Sequence, residues 1–315
     1  MLQLFRNANY QFLEFRTRAY VVSALVILSG LTSIGMSGGL RYGIDFAGGL
    51  ALRARFEQPV VIEDVRAAIE SVGITGAEVQ TVGSGAEVLV RAPVDESADS
   101  DMLANQVQAA LQAHAEGTVT MLSADMVGPK VGAELKAQAL KAIILSLIAI
   151  VLYVSARFEF RFGIAAIVTL AHDVLVVVGV LAILEREMSL SIVAALLTIV
   201  GYSLNDTIVV FDRIRENTKL MRRRDYMDIL TRSINQTLGR TIITSLTTLL
   251  PVTVLLILGG QVIKDFATAL LAGIMVGTYS SVFVASAILA EWHIRNPRKL
   301  EPVRTSSRPA TAARR

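Results

Sequence analysis

Six stretches of this chain are apolar for long enough to cross a bilayer, and between the first two lies a segment of quite different rhythm. The apolar runs cover about Tyr20 to Met36, then 137–156, 162–184, 188–211, 241–258 and 266–290; roughly 20 helical residues span a hydrocarbon core. Residues 41–133 hold no such run. Their pattern predicts strand Ala51 to Phe56, with apolar and basic residues alternating, helix Ile62 to Val72, strands Glu78 to Val82 and Glu87 to Arg91, helix Met102 to Ala113 and strand Val119 to Ala124. That βαββαβ order is the split βαβ, ferredoxin-like arrangement. The expected fold class is a membrane α-helical protein with six transmembrane helices and one extracytoplasmic ferredoxin-like domain between helices 1 and 2.

Composition agrees, and charge adds a direction. The 315 residues are 53% apolar, with a mean hydropathy of +0.55, outside the range of soluble globular chains. Residues 41–133 carry 13 acids and 6 bases, a net of −7. Segment 212–240 holds eight bases against four acids, and 291–315 seven against two. The positive-inside rule places both basic segments, and residues 1–19 with Arg6, Arg16 and Arg18, in the cytoplasm, so the acidic domain faces outward, the periplasm in a double-membrane bacterium. The first apolar run lacks a small-residue cleavage pattern after it and reads as a retained helix, 20–36. Residues 213–235, apolar at Ile214, Leu220, Met221, Met227, Ile229, Leu230 and Ile234 among many charges, predict an amphipathic helix along the cytoplasmic face (segment 212–235), with the fifth membrane helix over 236–258. The loop APVDESADSD reads as a solvated connection, and the basic tail 291–315 as disordered from Glu301 on. Cysteine is absent, which excludes disulfides and thiolate chemistry, and His114, His172 and His293 are scattered, so no metal or cofactor site is expected.

Candidate chemistry sits where charge interrupts the apolar runs. In GYSLNDTIVVFDRIREN (201–217), Asn205 and Asp206 fall inside the fourth membrane helix. An intramembrane carboxylate costs a few kcal/mol and marks an ion path or a paired site. Asp206 comes about five residues before the cytoplasmic end of that apolar run. Arg240 comes about five residues into a fifth helix starting near Ile234 or Asn235. At ~1.5 Å per residue the two share a depth of ~7–8 Å. Stripes Tyr202, Asp206, Val209 on one helix and Arg240, Thr244, Thr247, Pro251 on the next would make a hydrated seam. A carboxylate beside a guanidinium stays ionised, and one left alone in apolar surroundings takes a proton. Helix motion could therefore load and unload one proton; a static pair that fixes register, or an Arg240 that snorkels to the interface, is the plainer alternative. Asp173, mid-way along the third helix beside His172, is either a second relay member or a helix-interface contact. Pro251 marks a kink or hinge, and Gly273 with Gly277 allows close helix packing.

Four stretches carry a resemblance: GGLRYGIDFAGG at 38–49, VGPKVGAEL at 127–135, the His172-Asp173 pair, and 201–217. They resemble the signatures of SecF-type members of the SecD/SecF family, protein-export membrane subunits within the resistance-nodulation-division superfamily. The match runs in order along the chain up to the tail. It implies a subunit that works with SecD beside the SecYEG channel, with YajC and the emerging preprotein as further partners, using the proton motive force in late export across the bacterial inner membrane. It also implies that Asp206 and Arg240 are the proton-coupling carboxylate and arginine, with a further aspartate supplied by SecD, and that Gly43, Asp45, Gly48, Gly49, Gly128, Pro129 and Gly132 are family signature positions. Two other readings fit less well. Half of a small-molecule efflux pump would need large outer domains that ~90 residues do not provide, and an intramembrane aspartyl protease using Asp173 and Asp206 would need Tyr-Asp and Gly-x-Gly-Asp contexts that are absent.

Overall fold

The computed structural model describes residues 8–75, 77–82, 86–92, 100–115, 117–221, 223–259 and 261–296. Most of the acidic loop and the basic tail fall outside them. After a 3-10 turn at Phe12–Phe15 comes α1, Arg16–Met36, then a one-turn α2, Ile44–Ala47. The small domain follows as β1 Gly49–Phe56, α3 Ile62–Ser71, β2 Glu78–Val82, β3 Glu87–Ala92, α4 Ser100–His114 and β4 Val119–Val127. Its strands lie in the order β2-β3-β1-β4, all antiparallel. Each βαβ unit is thus split by one strand of the other, as the element order requires. Leu50, Leu52, Ala54 and Phe56 of β1 alternate with Val88, Val90 and Ala92 of β3 in a core closed by Val65, Ile69, Val107 and Leu111 from α3 and α4. The opposite sheet face carries Arg53, Arg55 and Arg91, of which Arg55 pairs with Glu87 of β3 and Arg91 reaches Glu187.

The remaining helices are α5 Pro129–Arg157, α6 Phe160–Ile183, α7 Leu190–Leu220, α8 Tyr226–Leu258 and α9 Gln261–Ser280, which continues through a π turn, Ser281–Ala285, into α10, Ser286–Arg295. Among the described residues, six helices are long and apolar enough to span a membrane. Of these, α6, α7 and the α9–α10 rod are mostly buried and form the centre. By contrast α1, α5 and α8 expose long apolar faces, among them Leu25 and Leu28, Leu145 and Leu152, and Leu246 and Leu250. Such faces are stable only in hydrocarbon or against another chain. The expected Gly273/Gly277 contact is present: a β-carbon on Gly273 would sit 2.3 Å from Ile199, and one on Gly277 3.1 Å from Ser203, so α9 lies against α7.

Two boundaries differ from the sequence pattern. Pro129 at the first helical position, after the extended Gly128, starts α5 well before its apolar run. The amphipathic helix expected over 213–235 is not one helix. Instead α7 continues through Leu220, and α8 starts at Tyr226, where Asp225 accepts a hydrogen bond from the Met227 amide (3.2 Å). The apolar residues Ile214, Tyr226, Leu230 and Ile234 are buried in the bundle core, so protein packing takes the place of the lipid surface that their periodicity suggested.

The signature positions join the small domain to the helices. The main chain at Gly43 and Arg41 pairs with Met188 in the α6–α7 loop (2.9 and 2.7 Å). Asp45 accepts from the amide of Leu190 (2.8 Å), the first residue of α7, where the helix dipole favours a carboxylate. Gly48 has φ +73, and a β-carbon there would lie 2.9 Å from Pro129; one on Gly132 would lie 3.0 Å from Gly48. Gly49 pairs with Val127, so the chain enters and leaves the domain side by side. Charged side chains complete the junction: Arg91 pairs with Glu187, Arg41 with Glu185 (3.0 Å), and Arg186 with Asp265 (2.9 Å).

Candidate functional site

The α7–α8 hairpin sets the relative height of its two charges. Asp206 lies 14 residues before the end of α7 (206 to 220), and Arg240 lies 14 residues into α8 (226 to 240). In an antiparallel pair, equal spacing from the turn means equal depth. Asp206 is buried, and Arg240 with the Thr244 hydroxyl faces it from α8. The two charges face one another without a direct ion pair: Asp206 Oδ2 is buried and has no hydrogen-bond partner among the described residues. The hydroxyls of Thr207 and Thr241, buried on the same two helices, are likewise unmatched. Arg240, Thr247 and Asn205 are exposed.

The polar stripes are only partly as the spacing suggested. Thr247 donates to the carbonyls of its own helix, at Ile243 and Thr244 (2.9 Å each), and is not part of the Asp206 seam. Tyr202 instead donates to Ser245 on α8 (3.1 Å), which is 2.6 Å from Thr278 of α9. Ser245 and Thr278 escape a sequence reading, because serines and threonines are ordinary in membrane helices and only tertiary packing selects these.

Asp173 has quite different surroundings. It is almost wholly buried on α6 and accepts from Ser203 of α7 (2.5 Å) and Ser280 of α9 (2.8 Å), with His172 Nδ1 at 2.8 Å from its other oxygen. The far ring nitrogen of His172 is 2.9 Å from Ser23 of α1, Ser23 is 3.2 Å from Tyr279, and Tyr279 donates to the Ala19 carbonyl (2.9 Å). Four helices thus meet on one carboxylate-histidine pair. Ser280 is the last residue before the π turn, a local widening that is frequent at functional sites. Asp173 and Asp206 have separate partners and do not form a carboxylate dyad. The link between them is Ser203, which bonds Asp173 and lies one turn from Asp206 on α7.

The family model described as protein export membrane protein SecD/SecF, C-terminal, matches residues 106–295, and that of the SecD/SecF GG motif matches 37–60. The chain belongs to the SecD/SecF family. Within it, the protein translocase subunit SecF of Desulfurispirillum indicum is 46% identical over 296 residues, 92% of this chain and 93% of that one. The SecDF subunit of Thermus thermophilus is 44% identical over 90% of this chain, which spans 38% of that longer protein. A crystal structure of SecDF from Thermus thermophilus, titled a translocon-associated membrane protein, superimposes with a TM-score of 0.83 at 41% identity, over 94% of this chain and 40% of that one. In the SecDF relatives the segment similar to this chain is therefore part of one longer polypeptide. The GG-motif match coincides with the stretch that docks on the α6–α7 loop, so its Gly43, Asp45, Gly48 and Gly49 have a visible mechanical task here.

Proposed function

We propose that this multi-pass membrane protein is a SecF subunit of the Sec preprotein translocase that works with SecD to couple proton movement to late export. The observation that carries the reading is Asp206: a buried carboxylate whose Oδ2 has no hydrogen-bond partner among the described residues, faced by a guanidinium at the same depth that is itself exposed on the surface of the subunit. Exposed Arg240 and Asn205 mark the face where a second chain completes the site, and the fused SecDF relatives support SecD as that chain. Asp206 takes up and releases the proton, Arg240 sets which state is favoured, and Thr244, Tyr202 and Asn205 line the path. Asp173 with His172 ties α1, α6, α7 and α9 together, so that a change at Asp206 reaches α1. The outer domain, held to the α7 start by Asp45, follows, and rocks about α1 against the emerging chain. Both termini lie in the cytoplasm, the small domain lies outside the plasma membrane, and the SecYEG channel and YajC are the neighbours. One charge crossing 100 mV yields about 2.3 kcal/mol, so repeated small strokes are needed.

The test is proton-dependent, ATP-independent late translocation in inverted vesicles. Asp206→Asn abolishes it, Arg240→Met abolishes it, and Arg240→Lys restores part of it. Normal export with Asp206→Asn sinks the relay, and normal export with Arg240→Met reduces Arg240 to a snorkelling residue.

A further inference from the structure

Away from the α7–α8 seam, an apolar groove of about 380 Å³ runs along α1. Its walls are Phe15, Ala19 and Val22 of α1 on one side and Tyr279 and Phe283 on the other, and Tyr10, Gln11 and Phe12 form its floor. The wall residues follow helical spacing, with 15, 19 and 22 on α1 and 279 and 283 on the α9–π rod, so the groove follows the helix axis. Its floor is built in advance. Asn235, nine residues beyond the start of α8, accepts from the Tyr10 amide and donates to the Tyr10 carbonyl, both at 2.9 Å. Tyr279 directs its hydroxyl out of the groove to the Ala19 carbonyl, leaving only its ring as wall.

One charge stands at the rim. Arg18 lines the groove two residues before the apolar run begins at Tyr20, the level at which a membrane helix passes from headgroups to hydrocarbon. Its neighbour Arg16 is engaged with Glu291 (3.1 Å). Arg18, among the described residues, meets no carboxylate and lies over the Phe15 ring, 5.3 Å from its centroid. A preformed apolar groove that enters the hydrocarbon at Val22 and Tyr279, with an unpaired guanidinium midway along it at the headgroup level, matches one chemical class. We infer that the groove is a binding site for an anionic phospholipid, whose phosphate meets Arg18, whose glycerol end lies toward Phe15 and Phe283, and whose acyl chain leaves past Val22 and Tyr279 into the hydrocarbon. The volume of the groove falls within the ~300–1,000 Å³ of small-molecule sites. The subunit's exposed polar face, with Arg240 and Asn205, lies on α7 and α8, whereas α1 packs on α6 and the π turn. Through Tyr279 and Ser23 the bound chain buttresses the wall from which the His172–Asp173 cluster is held.

Brominated lipids report the site directly. With Trp292→Phe removing the single native tryptophan and Val22→Trp at a half-exposed wall position, the full-length protein is placed in vesicles of phosphatidylcholine doped with brominated phosphatidylglycerol or brominated phosphatidylcholine. Quenching by the anionic lipid is expected at about fivefold lower mole fraction than by the zwitterionic one, the preference that one basic residue at an anionic surface gives. Arg18→Gln removes that preference, and Arg18→Lys keeps it. Equal quenching by the two lipids, or a preference that survives Arg18→Gln, overturns the site as bulk lipid only. Absence of quenching by either lipid shows that no acyl chain enters the groove and overturns it too. None of these outcomes bears on proton coupling at Asp206.

Discussion

The two buried aspartates make opposite demands on the molecule. Asp173 accepts three hydrogen bonds from three directions, and truncating it to alanine takes the acceptor from Ser203 and His172 and leaves Ser280 only the Gly277 carbonyl of its own helix (3.2 Å). Interhelical hydrogen bonds in membranes contribute about 0.6 kcal/mol each, and orphaned groups cost more, so Asp173→Ala is expected to lose about 2–3 kcal/mol. A lower melting temperature in detergent checks this. Asp206→Asn removes a charge whose Oδ2 has no hydrogen-bond partner, and its melting temperature is expected to be unchanged or higher while export fails. A carboxylate whose removal costs activity and spares stability marks a working group. Asp206 and Arg240 were legible in the sequence because charge inside an apolar run is conspicuous. Ser23, Ser203 and Ser280 were not, since a serine in a membrane helix announces nothing until its partner arrives from another helix. Ser203 had one signal: it lies three residues before Asp206, on the same face.

At the scale of elements, close packing by small residues holds the centre together. A β-carbon on Gly273 overlaps the side chain of Ile199 well inside van der Waals contact, so Gly273→Ala forces α9 away from α7 and is expected to cost about 1–3 kcal/mol. Gly201 has nothing within 4 Å, and Gly201→Ala in the same pair of helices is expected to stabilise by up to about 1 kcal/mol, because only the helix propensity changes. Opposite shifts in detergent melting temperature distinguish interface from propensity. The helices and the small sheet were readable because each keeps a clean period, 3.6 or 2, over many residues. The break between α7 and α8 was missed for an instructive reason: a face apolar enough for the membrane surface is equally apolar enough for a protein core, and periodicity does not say which apolar medium it will meet. Thr247 shows a related limit: spacing along one helix gives a stripe without its rotation relative to the neighbour.

For the molecule as a whole, the junction between sheet and helices is where the environment can act. The Glu187 carboxyl is pushed above its ordinary 4.5, chiefly by burial, with Arg91 pulling it back and Glu78 and Asp265 adding to the rise. The folded protein therefore holds this proton more tightly than the unfolded chain. The penalty of burying the charge is complete above the raised value, is relieved as pH falls toward 4.5, and is constant below. Relative to Glu187→Gln, which lacks the titration, the wild-type melting temperature is expected to rise on acidification across that window; a pH-independent difference would show the group to be solvated. The same junction rests on a seam with a longer reach. Gly49 and Val127 stand opposite each other, and Gly48 touches Pro129, so the outer domain is an insertion whose entrance and exit adjoin. A domain so attached can be exchanged for a larger or smaller one without re-spacing the two helices that carry it. The membrane helices and the small domain are therefore free to evolve on separate schedules, joined at a few glycines.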